Sequence, residues 1–225
     1  MQFTNIKISA TQLKCIALIT MIIDHIGIIL FPDILILRYI GRLAFPIYAF
    51  LVGEGLLHTK NRKKYFLKML ATFVTFEIVY VFVRGEWSLC VLYGFLCAIL
   101  IVEICEWAKK DLIKRRPIVA LPISILFIST MAFSSDYMFC AILLPLIVYY
   151  IKDKKKKMLL FFICLAFYSI LSWDYQILSL IAIIPLLLYS GEKGKNFLFK
   201  NSFYIMYPLH YAIIGVINFV LKGGL

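Results

Sequence analysis

The sequence predicts an all-α fold, a polytopic transmembrane helix bundle, and three observations predict it. Of the 225 residues, 63% are hydrophobic and only 16% are charged, against roughly 45–50% and about 25% in soluble domains. A water-soluble fold must cover its core with polar surface, and this chain lacks the residues to do so. The apolar residues come in runs close to the ~20 residues that a helix needs to cross a bilayer. The net charge of +12 sits in short loops between those runs, which is the pattern of membrane topology. That placement excludes nucleic acid as the partner of the basic residues and makes the lipid bilayer the first partner.

About nine helices follow from the length rule, at 13–31, 36–57, 65–83, 88–107, 118–133, 136–151, 158–172, 175–190 and 202–221. The runs at 118–133, 158–172 and 175–190 are near the short limit and read as tilted or shallow spans. The first run contains Asp24 and His25 and no small-x-small cleavage site follows it, so it reads as a retained helix. Lys7 and Lys14 precede the first helix and Lys60, Arg62, Lys63, Lys64 and Lys68 follow the second. The fourth is followed by Lys109, Lys110, Lys114, Arg115 and Arg116. Lys152 and the Lys154–Lys157 run follow the sixth, and Lys193, Lys195 and Lys200 the eighth. With alternating helices all of these fall on one face, which leaves Arg38, Arg42, Arg84 and Lys222 elsewhere. The positive-inside rule then puts the N-terminus in the cytoplasm and the C-terminus outside. The Lys154–Lys157 run reads as a cytoplasmic loop, with attraction to anionic lipid. The outer connections at 31–35, 84–87, 134–136 and 173–174 are short. The chain 1–225 therefore reads as a single membrane domain that works within the bundle or at its mouths. A homo-oligomer is compatible with this composition, although no clear G-x-x-x-G pattern marks an interface. The six cysteines include no C-x-x-C pair and read as small apolar packing residues, not disulfides or metal ligands.

Ionisable groups at membrane depth cost roughly 2.5–3.5 kcal/mol each at a helix centre. They persist where they meet a partner or a wet cavity. Asp24 and His25 lie in the first helix. Arg42 lies about two turns into the second, at 1.5 Å per residue, so Asp24 and Arg42 reach similar depth in antiparallel neighbours and are expected to pair. Asp24 and His25 point about 100° apart, so the carboxylate organises Arg42 and need not touch the imidazole. Glu54 lies between Gly53 and Gly55, and His58 and Thr59 close that helix. Glu77 is in the outer half of the third helix. His210 follows Pro208 in Tyr207-Pro208-Leu209-His210, and a proline there frees a carbonyl and bends the helix. The packing reading of these groups is a bundle-locking ion pair and hydrogen-bonded helix contacts. The functional reading is a histidine general base in a water-excluded site. No G-x-S-x-G, H-E-x-x-H or Walker pattern supports a covalent serine, metal or nucleotide mechanism.

The residues Lys14-Cys15-Ile16-Ala17, Met21-Ile22-Ile23-Asp24-His25-Ile26-Gly27 and Arg38-Tyr39-Ile40-Gly41-Arg42-Leu43-Ala44-Phe45-Pro46-Ile47-Tyr48-Ala49-Phe50 resemble the start of the TraX family. Glu54-Gly55, His58-Thr59, Asn61 and Tyr65 continue the resemblance. It returns at Phe203-Tyr204-Ile205-Met206-Tyr207-Pro208-Leu209-His210, with weaker counterparts at Asp136-Tyr137 and Trp173-Asp174-Tyr175. The founding member of that family acetylates the amino terminus of a conjugative pilin. The family is grouped with multi-pass acyltransferases that take acetyl-CoA from the cytoplasm. Those relatives often carry a basic residue, ten intervening positions and a histidine in the first helix. Lys14 and His25 have that spacing here, with Lys as a point charge in place of the more usual Arg.

The resemblance implies a bacterial plasma-membrane acetyltransferase with acetyl-CoA as donor and no metal. Its acceptor would be an amine or hydroxyl on a peptide, glycan or lipid. His25, with Asp24 and Arg42, would be catalytic, with His25 as base and Arg42 or a helix polar group steadying the oxyanion. Lys14, Glu54, His58, Thr59, Arg62 and Tyr65 would contact the CoA. Glu77, Asp136, Tyr207 and His210 would face the acceptor or support the site. Two other readings use the same residues: a proton-coupled transporter relaying through buried Asp, His and Glu, and a non-enzymatic membrane scaffold. Acetyl-CoA binding separates the first from both.

Overall fold

The computed structural model describes residues 7–87, 89–109, 119, 122–126, 128–129, 137, 139–172, 175–195 and 201–223. The helices are α1 (Ala10–Ile29), α2 (Leu35–Gly41), α3 (Ala44–His58), α4 (Arg62–Arg84), α5 (Val91–Ala108), α6 (Cys140–Tyr150), α7 (Lys154–Leu171), α8 (Ile183–Leu187) and α9 (Ser202–Leu221). A 3-10 helix, Tyr175–Ala182, leads into α8. Among the described residues the only extended pairing is an isolated parallel bridge between Ile8 and Tyr189.

Polar residues at the helix ends set where these elements begin. Ser9 opens α1 with a capping box: its amide donates to Gln12 Oε1 at 2.8 Å and its Oγ accepts from the Gln12 amide at 3.4 Å, which satisfies two donors reciprocally. The Ala10 and Thr11 amides donate to the carbonyls of Glu192 and Lys193. The start of α1 is thus stitched to the segment after α8. Asn61 caps α4 and Asp153 caps α7, each accepting a backbone N–H at 2.8 Å. Gly85 ends α4 in the left-handed region at φ 79°, where a residue without Cβ is unstrained.

Five stretches are long and apolar enough to cross a membrane: Ala10–Ile29, Leu35–His58, Arg62–Arg84, Val91–Ala108 and Ser202–Leu221. They leave large apolar side chains on the outside, with Phe82 86% and Val220 68% exposed. In water such a surface would aggregate, and in a bilayer it is solvated. The protein is a helical membrane protein.

The expected nine spans are not all seen as such. The run at 36–57 remains one span, Leu35–His58, but its helical bonding is interrupted at Arg42 and Leu43 between α2 and α3, and Pro46 is the cause. Proline has no amide to donate to the carbonyl four residues back, which is that of Arg42, and its ring crowds that carbonyl. The run at 175–190 is divided in the same way, because Pro185 cannot donate to Ile181, and a 3-10 turn takes the place of a regular helix. The run at 136–151 yields a helix of 11 residues, about 16 Å long at 1.5 Å per residue and too short to cross alone. Lys154–Lys157, expected as a loop, winds into the first turn of α7 behind its Asp153 cap. The run at 118–133 lies largely outside the described residues.

The bundle is built around α1 and α3. α1 packs on α2, α3 and α9; α3 packs on α6 and the 3-10 helix; α4 packs on α9 and α5; α5 and α7 both flank α6. On α9 the buried residues Tyr207, His210, Tyr211 and Ile214 recur at helical spacing and make its inner face. α5 and α6 approach so closely at Gly94 that a Cβ there would overlap the Ala141 side chain. Gly94→Val is therefore expected to destabilise the protein by about 1–3 kcal/mol through overpacking. The readout is thermal unfolding in detergent beside the wild type.

Candidate functional site

Adjacent residues on α1 serve different neighbours. Asp24 turns to α2 and His25 turns to α4 and α9. Asp24 Oδ2 lies 2.7 Å from Arg38 Nη1, and its Oδ1 lies 3.1 Å from Arg42 Nη2. Arg42 is held on every side. Its Nη1 donates to Gln176 Oε1 at 3.0 Å, its Nε donates to the Arg38 carbonyl at 3.3 Å, and the guanidinium lies 5.3 Å from the centre of the Tyr175 ring. α2 comes this close because residue 41 is glycine, and a Cβ at Gly41 would run into the Asp24 carboxylate. One carboxylate is thus shared by two guanidinium groups, and the cluster keeps one uncompensated positive charge.

His25 pairs with His210. His25 Nδ1 and His210 Nε2 are 2.6 Å apart, and His210 Nδ1 is 2.9 Å from the Met206 carbonyl. The ring planes differ by 9° and the centres are 4.9 Å apart. The facing nitrogens therefore lie along the line joining the rings, as in an in-plane hydrogen bond. A carbonyl can only accept, so His210 carries its proton on Nδ1 and offers a lone pair at Nε2. His25 must then donate from Nδ1, which leaves its Nε2 as the basic nitrogen. Tyr211 meets the His25 ring edge-on at 5.1 Å and Phe76 lies at 6.4 Å. These rings fix the imidazole sterically.

A cavity of about 210 Å3 brings the two groups together, lined by Asp24, His25, Arg38, Arg42, Tyr48 and Tyr207 among others. A second cavity of about 140 Å3 is lined by Lys14, Tyr48, Gly55, Tyr65, Phe203 and Tyr207. Tyr48 and Tyr207 belong to both and meet edge-to-face at 6.0 Å. They form the wall shared by a chamber at the lysine-rich end of the bundle and the histidine chamber. Lys14 Nζ lies 5.7 Å from the centre of the Phe203 ring at the mouth of the outer chamber. An open groove of about 500 Å3 between α4 and α9 has neither histidine nor acid in its lining.

The other expected site residues are placed as follows. Tyr65 and Lys14 share the lysine-end chamber. Glu54 turns away from it. Glu54 accepts a hydrogen bond from Tyr189 Oη at 3.2 Å and lies 3.7 Å from Lys157 Nζ and 3.4 Å from His58 Nε2. Arg62 leads elsewhere, donating to Tyr149 Oη at 2.7 Å with Glu103 at 3.4 Å. The Thr59 hydroxyl donates to the Asn61 carbonyl beyond the end of α3. Glu54, His58, Thr59 and Arg62 therefore do not line the chamber that Lys14 opens. Glu77 is buried and does not line the histidine chamber; its Oε1 accepts the amide of Cys90, the residue before α5, at 3.0 Å. Asp136 lies outside the described residues. Arg38, Gln176 and Tyr48 were not foreseen as site residues. Arg38 and Arg42 are four apart and share a helix face, a spacing that points both at Asp24. Gln176 is a lone amide in an apolar run.

An apolar bundle that encloses a hydrogen-bonded histidine pair and an arginine-clamped carboxylate, with a second chamber adjoining it toward the lysine-rich end, defines a polytopic membrane protein with an internal polar site. The chain belongs to the TraX family: the family described as TraX protein matches residues 9–218. It is 27% identical to "Probable fimbrial assembly protein FimC, serogroup H1" of Dichelobacter nodosus, over 93% of this chain and 96% of that protein. It is also 51% identical to "Uncharacterized protein RP591" of Rickettsia prowazekii (strain Madrid E) over 41 residues, 18% of this chain and 16% of that protein. No solved structure matches it.

Removing the shared carboxylate leaves the buried Arg42 and the partly buried Arg38 guanidinium groups without their anion. Asp24→Ala is expected to cost about 3–5 kcal/mol of stability. Adding Arg42→Leu to that variant is expected to cost less than the two single effects combined, because the groups are coupled. Unfolding of the three variants in one detergent measures both.

Proposed function

We propose that this protein is a membrane-embedded acetyltransferase of the bacterial plasma membrane, moving an acetyl group from cytoplasmic acetyl-CoA to an amine or hydroxyl acceptor. The observation that carries the reading is the pair of adjoining chambers that share Tyr48 and Tyr207, one lined by Lys14 and the other by His25, which is paired with His210. The lysine-rich end is the cytoplasmic face by the charge rule, so the donor's phosphates meet Lys14 and the basic residues around it. The narrow, largely apolar chamber suits a pantetheine arm. Its thioester then reaches the histidine chamber.

The chemistry follows from the groups present. The acceptor N–H or O–H approaches the thioester carbon, and His25 Nε2 takes its proton as the new bond forms. His25 Nδ1 can pass positive charge to His210 Nε2 along their hydrogen bond, so the imidazolium is shared between the rings. The carbonyl electron pair moves to oxygen and then returns. The C–S bond breaks, and the leaving thiolate recovers the proton from His25. The uncompensated positive charge of the Asp24, Arg38 and Arg42 cluster favours negative charge in this chamber. The relative named for fimbrial assembly favours a peptide amine as acceptor.

His25→Ala is expected to keep acetyl-CoA binding and to lose turnover by about 10²–10⁴-fold, the usual range for a general base. His210→Ala is expected to lower kcat with a smaller change in KM. Lys14→Glu, by contrast, should raise KM for acetyl-CoA and leave kcat close to wild type. Acetyl-CoA hydrolysis and equilibrium binding in detergent test all three. If folded wild-type protein shows no saturable CoA binding, the reading fails, and a pH-gradient-dependent flux would replace it with proton-coupled transport.

A further inference from the structure

The histidine chamber needs a donor for the thioester oxygen, and Arg42 beside it is already engaged. Arg42 Nε, Nη1 and Nη2 bond to the Arg38 carbonyl, to Gln176 and to Asp24. Arg38 Nη1 lies 2.7 Å from Asp24 Oδ2 as an ion pair without hydrogen-bond geometry, so Arg38 is committed to the carboxylate by charge. Tyr48 differs from both. It lines the two chambers at once, and its hydroxyl is sealed from solvent with no hydrogen-bond partner among the described residues. A buried hydroxyl without a partner costs stability. A protein that retains one in the wall of a cavity beside a basic histidine has kept a donor for something that enters the cavity.

We propose that Tyr48 is a catalytic residue whose hydroxyl receives the carbonyl oxygen of the acyl thioester at the wall shared by the chambers. The assignment rests on the acetyltransferase reading and supplies the oxyanion donor that it needs. As the acceptor attacks, the carbonyl pair localises on oxygen and Tyr48 O–H donates to it, while the acceptor's proton goes to His25 Nε2. When the carbonyl re-forms, the C–S bond breaks and the thiolate takes that proton. Tyr48 keeps its own proton throughout. Its ring is braced by the edge-to-face contact with Tyr207 at 6.0 Å, so the hydroxyl is positioned before the substrate arrives.

The test is Tyr48→Phe in full-length detergent-purified protein, assayed with acetyl-CoA and water as acceptor and by thermal unfolding without ligand. The ring and its packing remain and only the hydroxyl goes. The expected result is an unfolding midpoint at or above that of wild type, together with kcat lowered about 10²–10³-fold, as for other oxyanion donors, and KM little changed. A kcat within twofold of wild type overturns the assignment. So does a fall in the unfolding midpoint, which would show that the hydroxyl holds the fold together. Wild type and His25→Ala measured alongside separate the two levels. If wild type turns over, His25→Ala does not and Tyr48→Phe still does, only the Tyr48 role falls. If wild type has no turnover, the acetyltransferase reading falls and takes the Tyr48 role with it.

Discussion

A single carboxylate in an apolar bundle constrains most of what surrounds it. Asp24 cannot remain charged at membrane depth without partners, and it takes two, Arg38 and Arg42. To bring both guanidinium groups to one carboxylate, α2 must lie tight against α1, which requires glycine at position 41. The helical bonding is also interrupted just after Arg42, where Pro46 withholds its amide. Arg42 then reaches Gln176 and draws in the 3-10 helix before α8. A local demand for charge compensation thus fixes the relation of four elements. The second guanidinium leaves a positive excess where the cavity forms.

The histidine pair obeys a different constraint, that of proton direction. Nothing in the imidazoles themselves decides which nitrogen is basic. The Met206 carbonyl decides it for His210, and His210 decides it for His25. The chain of three groups begins at a helix carbonyl and ends at a free lone pair in the chamber. Asp24 sits one residue from His25 and takes no part in orienting it. The carboxylate sets the field of the site, and the second histidine sets its protonation.

Much of this was legible before any coordinates. The apolar runs and interleaved lysines identified a membrane bundle, and the matching depths of Asp24 and Arg42 identified their pairing. Tyr207 and His210 stood out because of the proline between them. Span count was less legible, since hydropathy does not register the break that Pro185 imposes, nor how four consecutive lysines behind Asp153 can begin a helix. Arg38 was read only as a loop charge because topology counting treats every cation alike. The pairing of His25 with His210 had no local signal at all, because it depends on how α1 and α9 pack. The expected CoA contacts divided for a related reason: Glu54 and Gly55 are neighbours in sequence but point about 100° apart on α3, and Gly55 is the one that borders the chamber.

The start of α1 is bonded to the segment at Glu192 and Lys193, and the bond between the two histidines closes a separation of 185 positions. The first and last helices of the bundle are therefore the two halves of one site. A ribosome still translating the middle of this chain has already delivered His25 into the membrane, but with no partner to set its tautomer and no second wall for its chamber. Long-range closure of this kind comes last. A chain that ends before α9 would consequently lack both His210 and the chamber wall that Tyr207 supplies.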